Sequence, residues 1–379
     1  MTTKNSNLHG AKQAKNDEFY TQYHDIEKEM QAYLDYNPDV FRGKVILLPC
    51  DDPEWSNFTK YFAQRFSDLG LKKLISTSYV KPKDDGDDSQ ARGKIFTLTR
   101  DVNQDGVIDI NDLEWEYLQG DGDFRSEEVT RLRDEADIII TNPPFSLFRE
   151  FLAWIVKADK SFTIISNMNA ITYKEVFPLI KENEMWLGVK SLGVDTYFDI
   201  PKTYADELVS CKKEGSAYKI INGKIMGRVQ ICWFTNIEHG RRHQPLDLDT
   251  MQNILRFNNS IKANPNSYKK YENYDAIEIP RVEAIPKDYN GVMGVPISFL
   301  DKYCPEQFEI IGLGISNSGI DIGVQPYKPE HKKYRKEIQK RGAVDGDLYM
   351  MINNEVVVPY ARILIKHKTP TKKETNNEN

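Results

Sequence analysis

The stretch Ala136-Asp137-Ile138-Ile139-Ile140-Thr141-Asn142-Pro143-Pro144-Phe145 is a short β-branched run that stops at a polar Asn, two prolines and an aromatic ring. Apolar residues in sequence, without polar alternation, predict a strand buried on both faces, as in a parallel sheet. The prolines forbid continuation of the strand or an immediate helix, so the chain turns at the sheet's carboxyl edge. In open α/β sheets that edge is where ligands bind.

Outward from this stretch the chain alternates between strand and helix patterns. Gly43 to Pro49 predicts a first strand, Lys73 to Thr77 a second, and Ser161 to Ser166 another buried one. Asn57 to Leu69 has apolar residues at helical spacing and ends at Gly70; Phe148 to Ala158 and Tyr173 to Asn183 predict further helices. Met185 to Val189 follows the last of these, and Arg228 to Thr235 is strongly β. Such alternation predicts an α/β, doubly wound sheet. Beyond about residue 245 prolines recur, and tyrosines interleave with lysines, as in Tyr268-Lys269-Lys270-Tyr271. We expect a catalytic domain over 1–245, with an acidic insertion at about 81–119. A second α+β region is expected over 246–366, and a disordered polar tail over 367–379.

The 379 residues are enough for two domains, and 40% hydrophobic with 28% charged residues is ordinary for a globular protein. No apolar run is long enough to span a bilayer, and Met1 to Lys15 has no signal-peptide core. Cys50, Cys211, Cys232 and Cys304 lack metal-ligand spacing and predict reduced thiols in a cytoplasmic protein. The net charge of −6 is set locally, because residues 84–137 carry 17 acidic and 6 basic side chains. It therefore does not exclude a polyanion as partner. Lys332-Lys333-Tyr334-Arg335-Lys336 and Gly240-Arg241-Arg242-His243 are available for phosphates, or else form solvated helix faces.

Asn142-Pro143-Pro144-Phe145 resembles the catalytic loop of methyltransferases that modify exocyclic amino groups, adenine-specific DNA methyltransferases above all. An adenine amine is a poor nucleophile because its lone pair is delocalised into the ring. Acceptors aimed at its two hydrogens favour the pyramidal form, and the Asn142 side-chain oxygen and a proline-fixed Pro143 carbonyl supply them. Phe145 offers a face for a base taken out of the helix. S-adenosylmethionine is the implied methyl donor.

In this fold class the cofactor lies over the first two strands, which points to Cys50-Asp51-Asp52-Pro53 with Ser56-Asn57-Phe58. Asp51 and Asp52 are expected to bind it, or alternatively to cap the following helix. Lys15 to Thr21, with Phe19, Tyr20 and Thr21, looks like the N-terminal motif of adenine methyltransferases that packs over the methionine end of the cofactor. In Gly120-Asp121-Gly122-Asp123-Phe124-Arg125-Ser126, Asp123 and Phe124 suit a grip on its adenine ring.

Together with Gly291-Val292-Met293-Gly294-Val295-Pro296, these motifs make the chain similar to the EcoRI-type adenine-specific DNA methyltransferases over most of its length. The resemblance implies a Rossmann-like class I methyltransferase sheet, double-stranded DNA as substrate, a C-terminal target-recognition region and a role either in restriction–modification beside a cognate endonuclease or as an orphan modification enzyme. Two alternatives stay open: a methyltransferase acting on RNA or protein glutamine, and a non-catalytic DNA-binding remnant, for which a damaged catalytic loop is expected.

Asp101-Val102-Asn103-Gln104-Asp105-Gly106-Val107-Ile108-Asp109-Ile110-Asn111-Asp112 also fits a calcium loop. Oxygens fall at Asp101, Asn103, Asp105, Asp109 and Asp112, with glycine at the sixth position. The flanks fit less well: Asp112 to Leu118 suits a helix, but Ile95 to Thr99 suits a strand. A structural Ca2+ is one expectation; a soluble hairpin whose turn uses Asp, Asn and Gly is the other.

Overall fold

The computed structural model describes residues 21–52, 56–80, 92–192, 196–200 and 202–368. Within these, the chain divides into two compact units: the described parts of Met1–Ala170 with Met185–Gly240, and of Ile171–Glu184 with Arg241–Asn379.

The first unit is built on eight strands: β1 Val45–Leu48, β2 Lys73–Thr77, β3 Lys94–Leu98, β4 Glu114–Tyr117, β5 Ile138–Thr141, β6 Ser161–Asn167, β7 Trp186–Leu187 and, after three others, β11 Ile231–Thr235. Their order across the sheet is β4-β3-β2-β1-β5-β6-β11-β7. β2, β1, β5 and β6 run parallel, while β3, β4, β11 and β7 extend the sheet in antiparallel pairs. All four residues of β1 and of β5 are buried, as parallel strands covered on both faces require. One face packs Ile46, Leu48, Ile138 and Ile140 against Ile26, Met30, Phe58, Tyr61 and Phe62 of two helices, Tyr23–Tyr36 and Asn57–Gln64. Asp137, the acidic residue opening β5, accepts the Val45 main-chain N–H at 2.8 Å and so locks β5 to β1.

Several local expectations change. The helix expected over Asn57 to Leu69 breaks at Arg65 into Asn57–Gln64 and Phe66–Leu69, and Gly70 closes it in the left-handed region (φ 62°). Only Phe177–Lys181 of the Tyr173 to Asn183 segment is α-helical, because Pro178 has no N–H to give and belongs in a first turn. The segment from Asp112 to Leu118 is not a helix but contains β4. Glu114, Trp115, Glu116 and Tyr117 alternate with period two, and β3 offers an antiparallel partner. The run Arg228 to Thr235 is two strands: it breaks at Gln230, so that β10 (Lys224–Val229) pairs with β8 (Thr196–Asp199) and β9 (Tyr218–Ile221) in a separate three-stranded sheet.

The second unit carries a four-stranded sheet of order β12-β13-β17-β14 (Ala276–Glu278, Val292–Pro296, Arg362–His367, Phe308–Leu313). The hairpin β15–β16 (Met350–Ile352, Glu355–Val357) turns through Asn353 and Asn354, both at positive φ, as a tight hairpin turn demands. The Phe177–Lys181 helix packs on β14. Inside this unit Glu278, 1% exposed, takes bonds from the Arg362 guanidinium at 2.7 and 3.1 Å and from the Tyr271 hydroxyl. Burial, with the Glu278 charge beside it, raises the Tyr271 pKa well above that of an ordinary phenol, so Tyr271 stays a donor.

Members of both basic clusters are engaged with neighbouring residues. Arg242 is buried and bonded to Asn183, and His243 meets Glu306 at 2.9 Å, which corrects the expectation that Gly240 to His243 is open to phosphates. On the helix Pro329–Glu337, Lys332 pairs with Asp345 at 2.5 Å and Arg335 donates to the Gly342 carbonyl. No helix among the described residues is long and apolar enough to cross a membrane.

Candidate active site

β1 lies between β2 and β5, so connections leave its carboxyl end on one side and those of its neighbours approach from both. This reversal of strand order opens a crevice at the strand ends. A cavity of about 350 Å³ occupies it. Pro49 to Asp52 enter it after β1, Ser78 and Tyr79 after β2, and Asn142, Pro144 and Leu147 after β5; Gly122 to Arg125, Thr21 and Ser56 to Phe58 complete the lining.

The loop after β1 is pinned by hydroxyls. Thr77 Oγ1 donates to the Pro49 carbonyl at 2.9 Å, and Thr59 Oγ1, at 3.2 Å, and Ser76 Oγ meet the Asp51 carbonyl. Ser56, not either aspartate, caps the helix Asn57–Gln64: its Oγ accepts from Phe58 N. The same hydroxyl donates to Asp51 Oδ1 at 2.7 Å, while Asp51 Oδ2 accepts from Thr141 Oγ1. Asp51 is thus buried and engaged on both oxygens, whereas Asp52 is half-buried. Asn57 Nδ2 holds the Thr21 carbonyl at 2.8 Å. The Thr21 hydroxyl is buried, lines the cavity and has no hydrogen-bond partner among the described residues.

The loop before the helix Glu127–Glu135 is fixed from the helix itself. The Glu128 carboxylate accepts Gln119 N at 2.9 Å and Gly120 N at 3.3 Å, and Ser126 caps the first turn. Asp123 is gripped by Arg125 through Nη2 at 2.6 Å and Nε at 2.9 Å, which, ahead of the opposing effect of burial, holds its carboxyl below the usual carboxylate range. Arg125 also reaches Glu150 at 3.0 Å. Phe124 sets its ring edge-on to Phe151 and Trp154, with the Arg125 guanidinium 5.5 Å from its centroid. Burial, and then Asp121 and Asp123, push the Tyr79 pKa up.

At the end of β5, Thr141 is fully buried, Asn142 half-buried and Pro143 buried; Phe145 to Leu147 form one 3-10 turn, closed by Leu147 N on the Pro144 carbonyl at 2.9 Å. Phe145 is half-buried and packs in part on the core cluster.

Thr21, Asp51, Asp52, Asp123, Phe124, Asn142 and Pro144 therefore surround a single cavity, whereas Pro143 and Phe145 flank it without lining it. Phe19, Tyr20 and Pro53 lie outside the described residues. Ser78, Tyr79 and Arg125 were not singled out in the sequence; the only signal for the first two is their place just after the second parallel strand.

The calcium ligand set does not converge. No group of three or more His, Cys, Asp or Glu side chains among the described residues is arranged to hold a metal. Asp101 accepts Gln104 N and Gly106 N, Asn103 and Asp105 accept Asp105 N and Val107 N, Asp109 accepts Asn111 N, and Asp112 accepts Val102, Asn103 and Asp109 N–H groups. The oxygens that suit a cation in the sequence accept main-chain N–H groups in a chain of Asx turns. Those main-chain bonds, led by the one from Asp109, hold the Asp112 carboxyl below its ordinary range.

The family described as adenine-specific methyltransferase EcoRI matches this chain over residues 7–368. The type II methyltransferase M.EcoRI of Escherichia coli is 41% identical over 364 residues, 96% of this chain and 97% of that protein. M.MpnI of Mycoplasma pneumoniae is 35% identical, over 79% of this chain and 83% of its own length. M.MgeORF184P of Mycoplasma genitalium is 34% identical, over 79% and 84%. With a match of that extent, the chain belongs to the EcoRI-type adenine-specific DNA methyltransferases.

Proposed function

We propose that this protein transfers a methyl group from S-adenosylmethionine to the exocyclic N6 amine of an adenine in a short duplex DNA sequence, after flipping that base out. The observation that carries the reading is the shared cavity, which Asn142 and Pro144 line together with Thr21, Asp52 and Asp123. The cavity suits this cofactor in kind as well as place. The Thr21 hydroxyl, buried and without a hydrogen-bond partner among the described residues, suits a polar ligand group, Asp52 offers a carboxylate to a cationic amine or a ribose, and Phe124 and Tyr79 offer aromatic surface. When bound there, S-adenosylmethionine supplies an electrophilic methyl carbon on a positively charged sulfur.

The chain's own contribution is positioning and hydrogen bonding. The Asn142 side-chain oxygen and the Pro143 carbonyl accept the two amine hydrogens, concentrating the lone pair on nitrogen. Good alignment of reactants can contribute about 7–11 kcal/mol of barrier lowering. Phe145, beside the cavity, stacks on the extruded base and returns about 1–3 kcal/mol of the flipping cost. Asp51, which lines the cavity, is held in place by Ser56 and Thr141 and belongs with Asp52 to the cofactor side in this reading.

Residues 1–245 form the catalytic domain in this reading, and 246–366 the target-recognition region, where Lys and Arg position phosphates and polar side chains read base edges. The setting is cytoplasmic, as the modifying half of a pair with an endonuclease of the same specificity.

Labelled S-adenosylmethionine incubated with unmethylated duplex DNA, RNA and protein is expected to mark the DNA alone, at adenine N6. Asn142→Ala is expected to abolish that transfer while cofactor binding persists; full activity in this variant sinks the reading.

A further inference from the structure

Thr141 and Asp51 are ninety positions apart in sequence, yet the Thr141 hydroxyl donates to Oδ2 of Asp51, which lines the cavity. Thr141 is 0% and Asp51 5% exposed. Asp51 is itself immobilised: Oδ1 by Ser56, its carbonyl by Ser76 and Thr59. Ser56 caps the helix whose next residue, Asn57, holds Thr21. A continuous set of bonds thus runs from the loop after β1 to the last residue of β5, immediately before Asn142. A β-branched residue in that register would satisfy strand packing alone; valine does so without a buried polar group. The hydroxyl is therefore in excess of what the strand needs.

We propose that Thr141 is a positioning residue for methyl transfer: anchored to Asp51, it sets the direction in which the Asn142 amide leaves the strand, and ties the catalytic loop to the cofactor side of the cavity. This rests on the reading of Asn142 as the amine acceptor. Hydrogen bonds to a carboxylate are short and directional, and a rigid strand end transmits their geometry to the next residue. A donor lost at this point displaces Asn142 without removing any group that touches substrate. Its effect falls on the rate of the chemical step, not on affinity.

The test is a donor-strength series at one position, with the full-length protein in excess over target sites in adenine-unmethylated genomic DNA and labelled S-adenosylmethionine. Thr141→Val is expected to slow single-turnover methylation by about tenfold to a hundredfold, the range a small misplacement of reacting groups produces, with cofactor and DNA affinities unchanged. Thr141→Ser, which keeps the hydroxyl, is expected to restore the rate, and Thr141→Cys, a weak donor of similar size, to fall between. If the valine variant does not fold, the serine and cysteine variants carry the comparison. Melting temperatures are measured in parallel. Single-turnover rates that stay equal across the series, or that track only melting temperature, overturn the proposal. Asn142→Ala run alongside separates the two ideas: if it is inactive while Thr141→Val is normal, only this inference fails, and if it is active, the assignment of Asn142 fails.

Discussion

Gly122 sits so close to Ser78 that a Cβ built on it would come within 2.1 Å of the Ser78 main-chain oxygen. Its φ of +88° is also one that side-chain-bearing residues rarely adopt. Both residues line the cavity, so this contact is where the loop carrying Asp123 and Phe124 closes on the end of β2. The main-chain bonds Val80 N to Asp121 O and Gly93 N to Gly120 O, both 2.9 Å, hold the same closure.

Gly122→Ala is therefore expected to cost about 2–4 kcal/mol, from the left-handed backbone and the forced separation of the two segments together. Because the displaced wall belongs to the cavity, cofactor affinity should fall more than melting temperature alone suggests. Thermal melting with and without S-adenosylmethionine checks this; a variant that melts and binds like the parent contradicts the packing described.

Asp123 gives a pH signature. Its folded pKa is lowered, chiefly by its hydrogen bonds to Arg125. A carboxyl lowered by folding stabilises the protein fully above its unfolded pKa, about 3.9, and loses that contribution as pH falls through the folded value. The pair is part exposed, with Arg125 at 51%, so its worth is only about 0.2–1 kcal/mol. Denaturant midpoints of the ligand-free protein and of Asp123→Asn should differ by a constant amount above about pH 5 and converge below pH 4. A gap that widens on acidification would reverse the sign and refute the pairing.

The Glu278–Arg362 pair in the second unit tests a different balance. Arg362→Met leaves a carboxylate that is 1% exposed with the Tyr271 hydroxyl but no cation. Breaking a buried pair from one side costs about 3–5 kcal/mol. Replacing Glu278 and Arg362 together with Gln and Met should recover part of that loss, since no bare charge remains. Urea denaturation of the two variants decides it: a double variant no more stable than Arg362→Met alone counts against the argument.

Much of the first unit was legible along the chain because its evidence is local. Ile138 to Thr141 and Val45 to Leu48 read as doubly buried strands from an unbroken apolar run, and Gly70 ended its helix because a left-handed residue stops one. The Asn-Pro-Pro-Phe turn announced a loop because prolines act on their own neighbours. Where local signals competed, the outcome depended on partners far away. Glu114 to Tyr117 became a strand because β3 stood ready to pair with it, and Arg242 was withdrawn from solvent by Asn183.

Composition and periodicity thus determined that this chain makes a buried parallel sheet with a polar turn at its carboxyl edge, since burial patterns and proline geometry are properties of short segments. Folding in three dimensions settled which strand stands beside which, that the carboxylates of residues 101–112 turn inward onto main-chain amides, and that Asp51 serves Thr141. Hydrogen bonds between residues ninety positions apart leave no periodic trace in a sequence, because their partners meet only when the sheet has closed.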